Sequence, residues 1–141
     1  MNDTELDPKT REDMVRRAWY AHDARWFAAI AAEFGMETAN RINRAAVRAV
    51  GQVEAGRLAR VIGAPQTPSV EGFLEFLHRG LDLYVAPPLM DMTMTKVDER
   101  SYEVAVNDCF VHTNITRAGI DGTYECAVWD RVQGYHEALG Q

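Results

Sequence analysis

Residues 89–107 read LMDMTMTKVDERSYEVAVN. From Leu89 to Val97, Met90, Met92 and Met94 alternate with Asp91, Thr93 and Thr95; after it Tyr102, Val104 and Val106 alternate with Glu103, Ala105 and Asn107. A period of two marks strands with one apolar and one wet face. Asp98 to Ser101 supplies the turn between them, so the two runs predict an antiparallel hairpin. Everywhere else the apolar period is three to four. The predicted fold class is therefore α+β and mostly helical: three N-terminal helices, the two-stranded antiparallel hairpin, then two C-terminal helices. A two-stranded ribbon is marginal alone, so helices must cover it or a second subunit must extend it.

Upstream of the hairpin, Pro87 and Pro88 force an extended turn. Before them, Val70, Phe73, Leu74, Leu77, Leu81 and Tyr84 predict a helix from Val70 to about Tyr84, with Ser69 as its N-cap. A longer helix is predicted from about Glu37 to Ile62, rich in Ala and Arg. Its apolar stripe reads Ile42, Ala46, Val50, Val53 and Val61, and Gly63 and Pro65 stop it. At 1.5 Å per residue it spans about 39 Å, which suits either a kink near Gly51 or extension into a partner subunit. The first helix runs from about Thr10 to Gly35, with Met14, Ala18, Trp19, His22, Trp26, Ala29 and Ile30 on one face. Residues 1–9 read as a disordered tail and residues 10–141 as a single domain. Downstream, Asn107 or Asp108 is expected to cap a short helix from Cys109 to about Ala118, and a last helix is expected from about Thr123 to Leu139. Val128, Val132, Tyr135 and Leu139 form its core face.

The 141 residues are 47% apolar and 26% charged, the balance of a globular chain that can bury about two thirds of its unfolded surface. Fifteen basic against 21 acidic residues give a net charge of -6, which argues against nucleic acid or an anionic membrane as partner. No apolar run reaches the ~20 residues of a membrane span, and a polar N-terminus without a signal peptide points to the cytoplasm. Phosphate loops and the Gly-x-Gly-x-x-Gly, Gly-x-Ser-x-Gly and His-Glu-x-x-His motifs do not occur, which argues against ATP and nicotinamide chemistry.

The two cysteines, Cys109 and Cys126, are expected to be reduced thiols rather than a disulfide framework. Cys109 falls at a predicted helix start, where unpaired amides stabilise a thiolate, with His112 one turn on. Thiol and imidazole on one face suit an activated nucleophile and its proton carrier. Cys-x-x-His is also metal-ligand spacing, so Cys109, His112 and Cys126 form an alternative zinc or iron set. Asp130 lies one turn after Cys126, positioned either for a ligand or for a surface ion pair. Glu54 interrupts the apolar row Val47, Val50, Leu58 and Val61. A carboxylate there must be paired, with Arg57 as the near candidate, or act as a catalytic acid. His22 between Trp19 and Trp26 is either the wall of an aromatic pocket or a core histidine. Met92 and its neighbours are core or the floor of a binding site.

Trp26-Phe27 and Phe34-Gly35, the run Glu54-Ala55-Gly56-Arg57-Leu58, the triplet Asn107-Asp108-Cys109, and Gly119 followed by Cys126 occur in this order. In this the chain, from about Val15 to Gly140, resembles the aminothiazoline-carboxylate hydrolase-like proteins and their uncharacterised bacterial relatives. The resemblance implies hydrolysis of a carbon–nitrogen bond in a small heterocycle, with Cys109 and Cys126 at the family's recognisable thiol positions. The order of helices, hairpin and helices is also similar to the vinyl reductase domain, a small-molecule-binding module. Two functions follow as expectations. One is a cytosolic enzyme acting on a heterocyclic or amide-like small molecule, with Cys126 or Cys109 as nucleophile, His112 moving the proton, Glu54 orienting the substrate, and His22, Trp19, Trp26, Met92 and Asp130 lining the site. The other is a dimeric sensor that binds a small molecule or metal without turnover. The long Ala-rich helix and the lone hairpin both predict a homodimer.

Overall fold

Side-chain caps decide where several helices begin. Asp7 accepts the Thr10 N–H at 3.1 Å, with Pro8 in the first helical position, and starts α1 (Pro8–Phe34). Ser69 accepts from the Gly72 N–H at 3.1 Å and starts α3 (Val70–Val85) as its sequence predicts. The computed structural model describes residues 5–66 and 68–140. Between α1 and α3 runs α2 (Met36–Ile62); after α3 come β1 (Met90–Lys96), β2 (Tyr102–Cys109), α4 (Phe110–Arg117) and α5 (Val128–Leu139). The fold is thus mostly helical α+β, in the order helices, antiparallel hairpin, helices. No described helix is long and apolar enough to cross a membrane.

The chain divides into two compact units, residues 1–39 and 40–141. In the first, α1 takes in Pro8 and Lys9, which had been expected in the tail, because the Asp7 cap nucleates the helix there. The rest of the expected tail, residues 1–4, lies outside the described residues. None of the residues of α1 is buried, and Met14, Val15, Trp26 and Phe34 stand exposed.

The second unit holds the core. Phe73, Phe76, Leu77, Leu81 and Val85 are buried along α3, with Leu89 and Met90 at the hairpin entrance and Val132 and Tyr135 on α5. Of the stripe predicted for α3, Phe73, Leu77 and Leu81 are buried and Val70, Leu74 and Tyr84 half-buried, while Phe76 and Val85, outside it, are buried as well. In α2 the predicted stripe is not the packed face. Val53 and Val61, expected in the stripe, are 50% and 82% exposed, while the buried positions are Ala39, Asn40, Gly51, Glu54, Ala55 and Leu58. That face is small and polar because it meets another backbone. A Cβ added at Gly51 would overlap the Arg131 carbonyl oxygen, and one at Gly134 would overlap the Arg48 carbonyl oxygen. The two glycines thus face each other's helix, and α2 and α5 cross at backbone contact. The helix runs on through Gly51, whose role is to admit α5. At Gly80 on α3 the missing side chain is replaced by the phenol of Tyr135, which is fully buried.

Outside this contact α2 and α5 are joined by charged side chains. Arg44 bonds Asp130 at 2.9 Å and Glu125 at 3.2 Å, and Glu137 takes Arg48 and, at 2.6 Å, Gln52. These pairs face solvent, where screening and the ordering of long side chains leave them little net stabilisation. Glu137 is nonetheless held at about 2, because Arg48 and then Gln52 donate to its charged form.

Gly134→Ala is expected to lower the stability of the second unit by about 1–3 kcal/mol, the usual cost of forcing extra volume into a tight contact. Gly56→Ala, on α2 with open space at its Cβ, is expected to raise it by about 0.5–1 kcal/mol. Urea unfolding followed by circular dichroism separates the two.

Candidate functional site

The hairpin pairs Met94 with Val104 and Met92 with Val106, but Asp91 with Asp108 and Met90 with Cys109. The pairing sum rises by one between Met92 and Asp91, so β2 carries one extra residue there, at Asn107. Such a bulge reverses which face the following side chains occupy. Without it Asp108 would lie opposite Met90 on the apolar face. With it Asp108 turns outward and Cys109 joins Met90, Met92 and Val106. The Asn107 amide fastens the bulge, donating to Thr93 Oγ1 at 2.9 Å and to Asp91 Oδ2 at 3.3 Å. Strict alternation had placed Asn107 simply opposite the apolar face; the polar pair Asn107-Asp108 ahead of a thiol was the signal for the bulge.

Cys109 ends β2 and is the N-cap of α4 rather than its first helical residue. Its Sγ accepts the main-chain N–H of His112 at 3.5 Å. The predicted Cys109–His112 link therefore runs through the backbone. The imidazole itself is exposed. Phe110 N–H donates to Leu89 O at 2.8 Å and ties the helix start back to the mouth of the hairpin.

The second thiol arrives on an irregular segment. The last helix begins at Val128 rather than at Thr123. The cause is Asn40 on α2, whose amide donates to Thr123 O at 2.8 Å and whose Oδ1 accepts Glu125 N–H at 3.1 Å. In a helix begun at Thr123 that carbonyl would accept the first intrahelical bond; here one buried side chain takes it and the Glu125 N–H together. Cys126 is consequently exposed in a loop and is not one helical turn from Asp130. Tyr124, between the two clamped positions, is half-buried. Burial, and then the charges of Cys126 and Cys109, push this phenol up to about 12, so it stays protonated throughout the physiological range.

The other predicted residues lie elsewhere. Glu54 is buried, but its partner is Arg131 of α5, not Arg57: Arg131 Nε donates to Oε2 at 2.8 Å and a second guanidinium nitrogen to Oε1. Arg57, one turn along α2, is exposed. Tyr135 adds a long bond of 3.5 Å to the same carboxylate, and burial holds its phenol far above the ordinary range. With its oxygens so occupied, Glu54 is a structural anion rather than a substrate acid. Asp130 is bound by Arg44 at the surface. On α1, His22 and Trp26 are exposed, His22 lying 3.5 Å from Asp23, so His22 is not a core histidine. Trp19 is half-buried, with its ring 6.4 Å from that of Tyr20. Met92 is half-buried on the hairpin face that carries Cys109.

Cys109, His112 and Cys126 do not form the predicted metal set: among the described residues no three His, Cys, Asp or Glu side chains are placed to hold a metal ion. The zinc or iron expectation has no ligand set there. Residues whose roles sequence reasoning missed are Asn40, which bonds on both sides of Tyr124, and Asn107, which fastens the bulge. Asn40 carried a faint signal as a polar residue on what became the packed face of α2. A further polar contact, Tyr102 Oη to His136 Nε2 at 2.7 Å, lies at the turn end of the hairpin with Phe73 stacked 3.9 Å from the imidazole. Burial holds this histidine below its usual value, in the neutral form.

The chain belongs to a family of unknown function (DUF6125), whose model matches residues 10–134. No curated protein and no solved structure matches it.

Deleting Asn107 is expected to remove the bulge and leave Met92, Asp91 and Met90 opposite Val106, Asp108 and Cys109 in a regular ladder, so that Cys109 keeps its face. Thiol titration with a coloured disulfide should then show Cys109 reacting at the parent's rate. A markedly faster reaction would mean that the deletion shifts the strand register instead of closing the bulge.

Proposed function

We propose that this member of a family of unknown function is a small cytoplasmic enzyme that acts on a heterocyclic or amide-like small molecule, hydrolysing a carbon–nitrogen bond with a cysteine thiol. The observation that supports the reading is the state of the two thiols: Cys126 is free and exposed in the loop before α5, and Cys109 is free and half-buried on the apolar face of the hairpin. A flat ring could rest on Met92 and Val106, since methionine adapts to irregular partners. Cys126 is the exposed thiol and the nucleophile of choice; Cys109, half-buried beside Met90, lines the site. In the reaction the sulfur of Cys126 forms a bond to the electrophilic ring carbon while the C=N electron pair moves to nitrogen, which takes a proton. Water then supplies hydroxide to that carbon and a proton to the leaving nitrogen, the C–N bond breaks, and the thiol is released. The resemblance to aminothiazoline-carboxylate hydrolase-like proteins supports the substrate class. Glu54 has no part in this scheme, and neither does a metal.

Cys126→Ser is expected to lower turnover of cyclic amidine or thiazoline substrates by on the order of a hundredfold or more, and Cys109→Ser by less, measured as ring opening by chromatography. Full activity in both variants would refute a thiol mechanism. Tight ligand binding without turnover in the parent would favour the non-enzymatic sensor instead.

We also propose that the protein works as a homodimer. A 27-residue helix with no buried residue and a sheet of only two strands each leave apolar or backbone groups that a second copy can cover. Light scattering is expected to give twice the 15.9 kDa chain mass; a monodisperse species of single mass would count against it.

A further inference from the structure

The main-chain groups of β2 divide between two sides. At the turn of the hairpin Val97 N–H donates to Ser101 O at 3.0 Å. Hydrogen-bonded and non-hydrogen-bonded pairs alternate from there. Lys96–Tyr102, Met94–Val104 and Met92–Val106 are therefore the non-hydrogen-bonded pairs, and Thr95–Glu103 and Thr93–Ala105 the hydrogen-bonded ones. It follows that the N–H and C=O groups of Tyr102, Val104 and Val106 point away from β1. The sheet has two strands, and among the described residues no hydrogen bond reaches these outward groups. Of the two strands it is β1 that α3 packs against. An edge that stays open in a monomer is ordinarily broken up by lysine, proline or a bulge. Tyr102 to Val106 contains neither lysine nor proline and one charged residue, Glu103. The bulge comes only after it, at Asn107. Five regular residues are thus left open between the turn and the bulge.

We propose that β2 pairs antiparallel with β2 of a second copy, Val104 opposite Val104 on the two-fold axis, so that the dimer carries one four-stranded sheet. The inference rests on the homodimer reading above and names its interface. The register follows from the residues. Outward groups must meet outward groups, so Val104 bonds Val104 and Tyr102 bonds Val106. Glu103 of each copy then lies opposite Ala105 of the other. A slide that set Tyr102 against Val104 would place Glu103 directly opposite Glu103, and like charges facing each other across strands are destabilising. A slide the other way, with Val104 against Val106, would carry Tyr102 onto Asp108, where the bulge breaks the ladder. In the remaining register the half-buried faces of the two hairpins are continuous. Val106, 40% exposed in a single copy, gains Tyr102 of the other copy as its neighbour on the same face.

Sedimentation of the full-length chain at low salt tests the pairing. Ala105 is exposed on the solvent face, so its substitution spares the core. Ala105→Lys sets an opposite charge against Glu103 twice in each dimer and is expected to tighten it; Ala105→Glu sets like charges there and is expected to weaken it. The two dissociation constants should differ by about tenfold, and by less in molar salt. Thr116→Lys and Thr116→Glu, at an exposed position of α4, make the same change in net charge and should differ by less than about twofold. Val104→Pro removes an N–H that makes no bond to β1, at an edge position that accepts proline. It is expected to keep the parent's circular dichroism and to sediment as a single chain. Equal separations at positions 105 and 116, or no separation at 105, would overturn the edge pairing even if Val104→Pro does not fold. A parent of single mass would overturn the homodimer reading as well, whereas a dimer indifferent to positions 104 and 105 would overturn this interface alone.

Discussion

Glu54 and Arg131, 77 positions apart in the chain, form the contact around which the second unit is arranged. Two helices can touch backbone to backbone only where both lack side chains, and Gly51 and Gly134 provide that. At such a crossing there is no room for the large apolar pairs that usually hold helices together. The stabilising contacts shift by one turn, to a carboxylate and a guanidinium that meet in two parallel hydrogen bonds. Taking both ions out of water costs several kcal/mol, offset only when the geometry satisfies every donor and acceptor. It does so here: among the described residues no buried side-chain nitrogen or oxygen lacks a partner. Removing one member of such a pair generally costs about 3–5 kcal/mol, far more than any of the surface pairs around Arg44 and Arg48. The pair therefore fixes the rotation of α5 about its own axis, and with it the placement of Tyr135 against Gly80.

The same crossing prepares the site. With α2 and α5 locked together, Asn40 is held one helix face away from the start of α5, where it captures two backbone groups and keeps Thr123 to Ala127 out of the helix. The cost of leaving these residues non-helical is met by a buried amide with both ends satisfied. On the other side, Asn107 supports the bulge that turns Cys109 inward. Two asparagines thus shape the segments that carry the thiols, Asn40 through backbone groups and Asn107 through the side chains of Thr93 and Asp91. Neither device relies on long-range charge, so the arrangement is insensitive to salt in a way that an ion-pair scaffold would not be.

Helix α3 and the hairpin could be read directly from residues. Phe73, Leu77 and Leu81 keep a strict helical period, Ser69 caps, and the Met90–Met94 alternation has the period of a strand; local periodicity and burial agree in these elements. In α2 they disagree. Its valines at 53 and 61 suggested a buried stripe, but the face that packs carries Gly51, Ala55 and Glu54, since a close crossing selects for small size before hydrophobicity. The thiols were legible as candidates because of their type. His112 and Glu54 were attached to them by spacing alone, and spacing misled: the thiol of Cys109 finds the His112 backbone, and Glu54 finds an arginine on another helix.

From composition and periodicity alone come the element order, the α+β class, the hairpin and the two reduced cysteines, because each depends on neighbours within a few positions. Tertiary structure alone decided the partner of Glu54, the late start of α5 and the face on which Cys109 sits. All of these depend on groups far apart in the chain competing for the same hydrogen bonds. A local pattern says which bonds a segment can make by itself. Only the packed chain shows that a buried asparagine or arginine from another helix makes better ones.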